Sequence, residues 1–268
     1  MIPLEDTFAD ILGKAQRGLA IADSELSAKS GVGQPDLKLL RSGKFDEGMV
    51  RKVAPHLGLN PDFLVAIALE QWRPHPVELE GLYAVNTEFG DMTVNAFLIW
   101  DRASREAVIF DTGSDVSLLL DFLKENSLTL KYILLTHTHG DHIFDLDRLQ
   151  EKTGAPAYVS HREPLAGAKS FAAGEGFTVG NLKIETRQTW GHSPGGITYV
   201  IRGLAKPVAV VGDALFAGSM GGGNISYADA LATDRAEILT LPEETVICPG
   251  HGPMTTVGEE KRHNPFFA

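Results

Sequence analysis

Residues 131–142 read KYILLTHTHGDH, and this stretch decides the fold. The apolar run YILL has the length and bounds of a short strand. The loop after it places His137, His139, Asp141 and His142 within six residues. On a strand ending at Thr136, His137 and His139 stand two apart, so both reach one point from an extended or tightly turned backbone. Asp141 and His142 follow at once, and a helix starting there aims them at a second spot nearby. Gly140 allows the two pairs to approach each other. Imidazoles and carboxylates are ligands for divalent metals. A lone loop histidine carries no such meaning, but here three of the chain's nine histidines crowd beside an aspartate.

Other apolar runs end in the same device. His192 in TWGHSPGG, Asp213 in VAVVGDALF and His251 in VICPGHGP each follow such a run and neighbour a glycine. The set His137, His139, Asp141, His142, His192, Asp213 and His251 suits two metals, with roughly three ligands each and one shared carboxylate.

Working outward, MTVNAFLIW, EAVIFDTG, APAYVSH, FTVGNLKIETRQT, GITYVIRG, KPVAVVGD and ETVICPGH are further short runs bounded by turn residues. Helical segments such as SLLLDFLKEN and IFDLDRLQEKT lie between some of them, which predicts an α/β layout of sheets covered by helices. Upstream of the linker prolines Pro74 and Pro76 the pattern is helical. Residues 1–75 therefore read as a small all-α domain and residues 76–268 as the metal-binding domain. In NPDFLVAIALEQW, Asn60 is an N-cap, Pro61 the first helical residue and Asp62 part of the first turn. DSELSAKSGVGQPDLKLLRSG reads as helix, glycine turn, helix, with Gly31 in the turn and Leu26, Val32 and Leu37 facing inward. Every candidate ligand lies beyond His75, so removal of residues 1–74 is expected to leave the metal site formed.

The 268-residue chain has a hydrophobic fraction of 43 %, enough for a core, and a formal charge of −11. That balance argues against broad binding to nucleic acid or anionic membranes. Cys248 is the single cysteine, so no internal disulfide forms and a reducing compartment fits. The N-terminus lacks the basic and apolar regions of a signal peptide, and no run of about 18 apolar residues spans a membrane. A cytoplasmic protein is expected.

Over residues 78–268 the chain strongly resembles the metallo-β-lactamase superfamily. The motif stands as His137, His139, Asp141 and His142, then His192, Asp213 and His251, with Asp111 in an early Asp-Thr-Gly loop. The resemblance implies a four-layered αβ/βα sandwich with the site at one edge of two sheets. It implies that His137, His139 and His192 hold one metal, that Asp141, His142 and His251 hold the other, and that Asp213 bridges them. VGDALFAGSMGG and PGHGPMTT, with a terminal HNPFF, are similar to the glyoxalase II-like branch. That similarity implies a dinuclear hydrolase of hydroxyacyl or related thioesters, working through a hydroxide shared by two divalent ions, with Asp141 orienting it. Zinc is the first expectation for the ions, and iron and manganese also fit the ligands. The same fold admits a lactonase, a phosphodiesterase or an iron-dependent persulfide dioxygenase.

Residues 8–70 resemble the helix-turn-helix domains of phage-repressor type. Between Lys14 and Lys52 eight Lys or Arg face five Asp or Glu, the one charge argument for DNA and for a regulator with a ligand-sensing domain. Over residues 1–80 the balance reverses, nine against twelve, which favours a helical bundle that packs on the larger domain or makes a homodimer. Cys248, Trp190 and Tyr227 read as packing residues, His161 as a solvated loop histidine, and His56, His75 and His263 as lacking a ligand setting.

Overall fold

The computed structural model describes residues 2–267. The chain starts with five α-helices: α1 (Phe8–Gly18), α2 (Asp23–Ser30), α3 (Gln34–Arg41), α4 (Glu47–Val53) and α5 (Pro61–Ala68), with a 3-10 turn at Ala54–Leu57. Their ends follow the sequence. Thr7 and Asp10 form a reciprocal capping box on α1. Gly31 closes α2 at φ 71°, a left-handed position that glycine takes without strain, and Leu26, Val32 and Leu37 are buried as expected. Asn60 caps α5, accepting from the amides of Asp62 and Phe63.

Two six-stranded sheets follow. The first contains β1 (Leu82–Phe89), β2 (Met92–Trp100), β3 (Glu106–Phe110), β4 (Thr129–Leu134), β5 (Ala157–Ser160) and β6 (Ala168–Phe171) in sequential order. Helices α6 (Ser117–Glu125), α7 (Gly140–Ile143) and α8 (Leu146–Thr153) interrupt it. The second contains β7 (Gly176–Val179), β8 (Leu182–Gln188), β9 (Ile197–Arg202), β10 (Val208–Gly212), β13 (Val246–Pro249) and β14 (Thr255–Thr256), ordered β14-β13-β10-β9-β8-β7. Between β10 and β13 run a small hairpin, β11 (Leu215–Phe216) and β12 (Ser219–Met220), and helix α9 (Tyr227–Thr233); α10 (Val257–His263) ends the fold.

The central strands are apolar on both faces, and their period of two explains the layers. Val108 and Phe110 of β3, Tyr199 and Ile201 of β9 and Val208 and Val210 of β10 share the core between the sheets. Ala107 and Ile109 turn outward under Leu119 of α6 and Leu149 of α8. Ala209 and Val211 turn outward under Ile238, Leu241 and Val257. The result is a four-layered αβ/βα sandwich. Among the described residues no helix is long and apolar enough to cross a membrane.

The helical unit does not stand apart from the sandwich. Ile11, Leu12, Leu57 and Leu64 belong to one buried cluster with Met220, Tyr227, Ala230 and Phe266. Gly18 of α1 lies directly on the Tyr227 ring, and the Asn60 amide donates to the Pro265 carbonyl at 2.8 Å. This shared core bears on the expectation that the metal site forms without residues 1–74; the sequence does not show which apolar residues of the C-terminal half face away from their own sheets.

Candidate metal centre

The structure brings all seven predicted ligands to one end of the sandwich. They form two sets, His137, His139, His192 and Asp213, and Asp141, His142 and His251, and within each set the ligand atoms lie within 4.8 Å of one another. Each set could hold a cation. Asp213 stands between them: its Oδ2 is 3.3 Å from His192 Nε2, 3.4 Å from His251 Nε2 and 3.9 Å from His137 Nε2, while its Oδ1 is 3.2 Å from His142 Nε2. Asp141 Oδ2 is 3.2 Å from His251 Nε2 and 3.5 Å from His142 Nε2. His137, His142 and His251 are buried and form the floor, whereas His139 and His192 are part-exposed and mark the mouth.

Four of the five rings are held by their Nδ1 atoms, so Nε2 points into the centre. His142 Nδ1 donates to Asp111 at 2.8 Å, His192 Nδ1 to the Gly222 carbonyl at 3.0 Å and His251 Nδ1 to the Thr93 carbonyl at 2.6 Å. His137 Nδ1 faces the Thr136 hydroxyl at 3.1 Å, and that hydroxyl donates onward to Asp111. His139 presents Nδ1 instead, 3.0 Å from the Nε2 atoms of both His137 and His192. Asp111 thus supports one ligand directly and another through Thr136. It sits at φ 56°, a strained position for a residue with a side chain, where it also receives the Thr136 amide at 2.7 Å.

Backbone crowds the centre. A Cβ on Gly250 would lie 2.1 Å from Asp213 Oδ1 and 2.6 Å from His142 Cε1, and one on Gly221 would lie 1.7 Å from the Asp213 carbonyl oxygen. Glu163 braces the mouth, accepting from the amide and hydroxyl of Thr138 and from the amide of Gly195. Glu163 and the carbonyls of Thr93 and Gly222 escape the sequence reading. For Gly222 the GGGN turn at 221–224 is the only available signal.

The electrostatics fit a cation-binding centre. Buried Asp213 Oδ1 and His142 Nε2 face each other without a hydrogen bond, an unmet demand that shared cations would satisfy. Burial holds His137 and His192 below the ordinary imidazole range. Burial also opposes charge on His142 and His251, but nearby carboxylates outweigh it. Asp213 and Asp111 raise His142 to about 10, and Asp141 and Asp213 raise His251 to about 11. Burial would raise Asp213 and Asp141, yet these imidazoles hold both below the usual carboxylate range. His142 and His251 therefore hold protons beside the carboxylates at pH 7. Ligation needs neutral imidazoles, so metal loading should expel protons from these two residues and weaken as the pH falls. Calorimetric titration in buffers of different ionisation enthalpy measures this, and uptake with no proton release would contradict it. For the metal-free fold the sign is opposite: the two raised imidazoles stabilise it fully below about pH 6.5, and that contribution is lost as the pH rises through 10 to 11.

The remaining singled-out residues are structural or peripheral. Cys248 is buried in the core between the sheets, where burial pushes its thiol up. Tyr227 packs in the helical cluster, and Trp190 carries the Arg162 guanidinium 4.7 Å over its ring. His161 is exposed, while His75 bonds to Glu259 and His263 stacks on Trp72.

Comparison with known proteins agrees with this geometry. Residues 89–251 match the family described as the metallo-beta-lactamase superfamily. The chain is 34 % identical over 224 residues to the probable metallo-hydrolase YqgX of Bacillus subtilis, covering 74 % of this chain and 97 % of that protein. It is 30 % identical to the hydroxyacylglutathione hydrolase GloC of Haemophilus influenzae, covering 65 % of this chain and 92 % of that one. Among solved structures it is similar to the BLEG-1 B3 metallo-beta-lactamase, with a TM-score of 0.59 and 32 % identity over 69 % of this chain and 99 % of that one.

Proposed function

The chain belongs to the metallo-β-lactamase superfamily, and from that premise we propose that it is a dinuclear metal-dependent hydrolase acting on acyl thioesters, of the hydroxyacylglutathione hydrolase type. The observation that carries this reading is the buried Asp213 carboxylate shared by two converging ligand sets. His137, His139 and His192 would hold one cation, Asp141, His142 and His251 the other, and Asp213 would serve both. When bound, two divalent cations supply Lewis acidity and a water acidic enough to react near neutral pH. Zinc, iron and manganese all suit these nitrogen and oxygen ligands.

The chain's own groups do the rest. Asp141 is the more open of the two carboxylates, with its side chain 12 % exposed against 8 % for Asp213, and it is placed to orient the attacking water and take its proton. Four of the five imidazoles have both nitrogens committed to the centre or its supports, which leaves little provision for a general acid. A thiolate, whose conjugate acid has a pKa of about 8.5, leaves without one. The similarity to GloC points the same way. A second reading, β-lactam hydrolysis, is favoured by the similarity to BLEG-1.

Binding to DNA gains no support from the charges of the helical unit. Lys14, Lys29, Arg41 and Arg51, half of the eight cations between Lys14 and Lys52, are paired within the chain to Asp6, Glu25, Asp23, and Glu47 with Asp62. Neutralised cations release few counterions from a duplex.

Initial rates of the metal-loaded protein on lactoylglutathione, an acyl-coenzyme A, a homoserine lactone, nitrocefin and bis-nitrophenyl phosphate test the proposal. The thioesters should be turned over fastest. Turnover of nitrocefin, the lactone or the phosphodiester with both thioesters ignored would remove the thioesterase reading and leave the metallohydrolase.

A further inference from the structure

The family match begins at residue 89 and leaves the five N-terminal helices without a role. Their most specific polar contact with the sandwich is a latch. Buried Asp6 accepts from Lys14 Nζ at 2.5 Å and from the Ser219 hydroxyl at 2.5 Å. Lys14 Nζ also donates to the Met220 carbonyl at 2.9 Å. It lies 5.0 Å from the centroid of the Phe216 ring, which in turn meets the His251 ring at 5.7 Å. Residues 219–222 thus form a strap, gripped on one side by the helical unit.

The other side of the strap touches the ligands. The Gly221 amide donates to the Ala214 carbonyl at 3.2 Å, and Gly221 packs on the Asp213 carbonyl too closely for any side chain. The Gly222 carbonyl accepts His192 Nδ1 at 3.0 Å. The orientation of His192 is therefore set by a carbonyl on a glycine-rich segment. Its two glycines have no side chains with which to fix themselves, so the strap is ordered at Ser219 and Met220. These residues pair with Phe216 and Leu215, Met220 is buried, the Ser219 carbonyl accepts from Asn264 at 2.8 Å, and Asp6 and Lys14 add the anchors that come from the helical unit. Their burial as a pair is compensated by the direct contact and by hydrogen bonds to Met220 and Ser219.

We infer that Asp6 and Lys14 are positioning residues for the metal centre: they fix the 219–222 strap and, through it, His192 and Asp213. The helical unit is then part of the hydrolase site rather than an appended module. This inference rests on reading the centre as a dinuclear metal site.

The test uses the full chain. An Asp6→Asn/Lys14→Met double variant removes both charges together, so neither is left buried alone, and Ser219→Ala removes one anchor by itself. Metal-free protein is titrated with cobalt(II) and zinc(II) against a competing chelator. The double variant should bind one of its two ions about tenfold more weakly, the lower end of the effect of losing a ligand's supporting group. Its cobalt absorption bands should shift, because the coordination geometry changes. Ser219→Ala should move both readouts the same way by less. Lys14→Arg, which keeps the cation, should retain more of the affinity than the double variant does, and Arg41→Met, which opens a different ion pair of the helical unit, should bind as the wild type does. Wild-type affinity and spectrum in both the double variant and Ser219→Ala would overturn the inference alone. If the double variant does not fold, Ser219→Ala decides. A wild type that takes up no metal brings down the metal-centre reading and the inference together.

Discussion

An Asp213→Ala protein is expected to lose its paired metal ions and at least about a hundredfold of its hydrolytic rate, the upper end of what loss of a ligand's support costs. The expectation follows from position. The Asp213 oxygens lie within 3.4 Å of nitrogens in both ligand sets, on His192 in one and on His142 and His251 in the other. Without this carboxylate, two dications would repel each other in a buried site with one negative group fewer to hold them. Elemental analysis and initial rates on the best substrate decide the matter. Two ions per chain with more than a tenth of the rate would sink the claim that Asp213 organises the centre.

The second large effect is expected from deleting residues 1–74. The sandwich would then expose Met220, Tyr227 and Phe266, which are 0 %, 8 % and 3 % exposed in the intact chain. Uncovering a large apolar side chain costs about 2 kcal/mol, so these three alone approach the net stability of a typical domain. The truncated protein should aggregate, or lose its cooperative unfolding transition while keeping much of its secondary structure. Circular dichroism during thermal unfolding, with metal content measured in parallel, is the check. A truncated chain that unfolds cooperatively at the wild-type midpoint and carries two ions would show that the shared core is dispensable.

The seven converging His and Asp side chains and the central strands are the legible part of the sequence, and the physical reason is the same for both. β9, β10 and β13 are buried on both faces, so they stand out as continuous apolar runs, and a ligand at the end of such a run is conspicuous. Edge strands lack that signal. β1 mixes exposed and half-buried positions, and three of the four residues of β6 are not buried, so neither shows a strand pattern in the sequence. The supports of the ligands were illegible for a different reason. The carbonyls of Thr93 and Gly222 carry no side-chain identity, and only the fold reveals which imidazole each one meets. Asp111 was visible as a motif, but its bond to His142 depends on a contact 31 residues away along the chain. Glu163 lies in an unremarkable polar loop, and its contacts with Thr138 and Gly195 join segments that the sequence keeps apart.

The crowding of Gly221 and Gly250 against the centre has an evolutionary side. A lineage could keep all five imidazoles and both carboxylates and still lose the site through a single methyl group at residue 250, because that methyl would collide with Asp213 and His142 together. At Gly221 and Gly250 the centre depends on a volume that must stay empty.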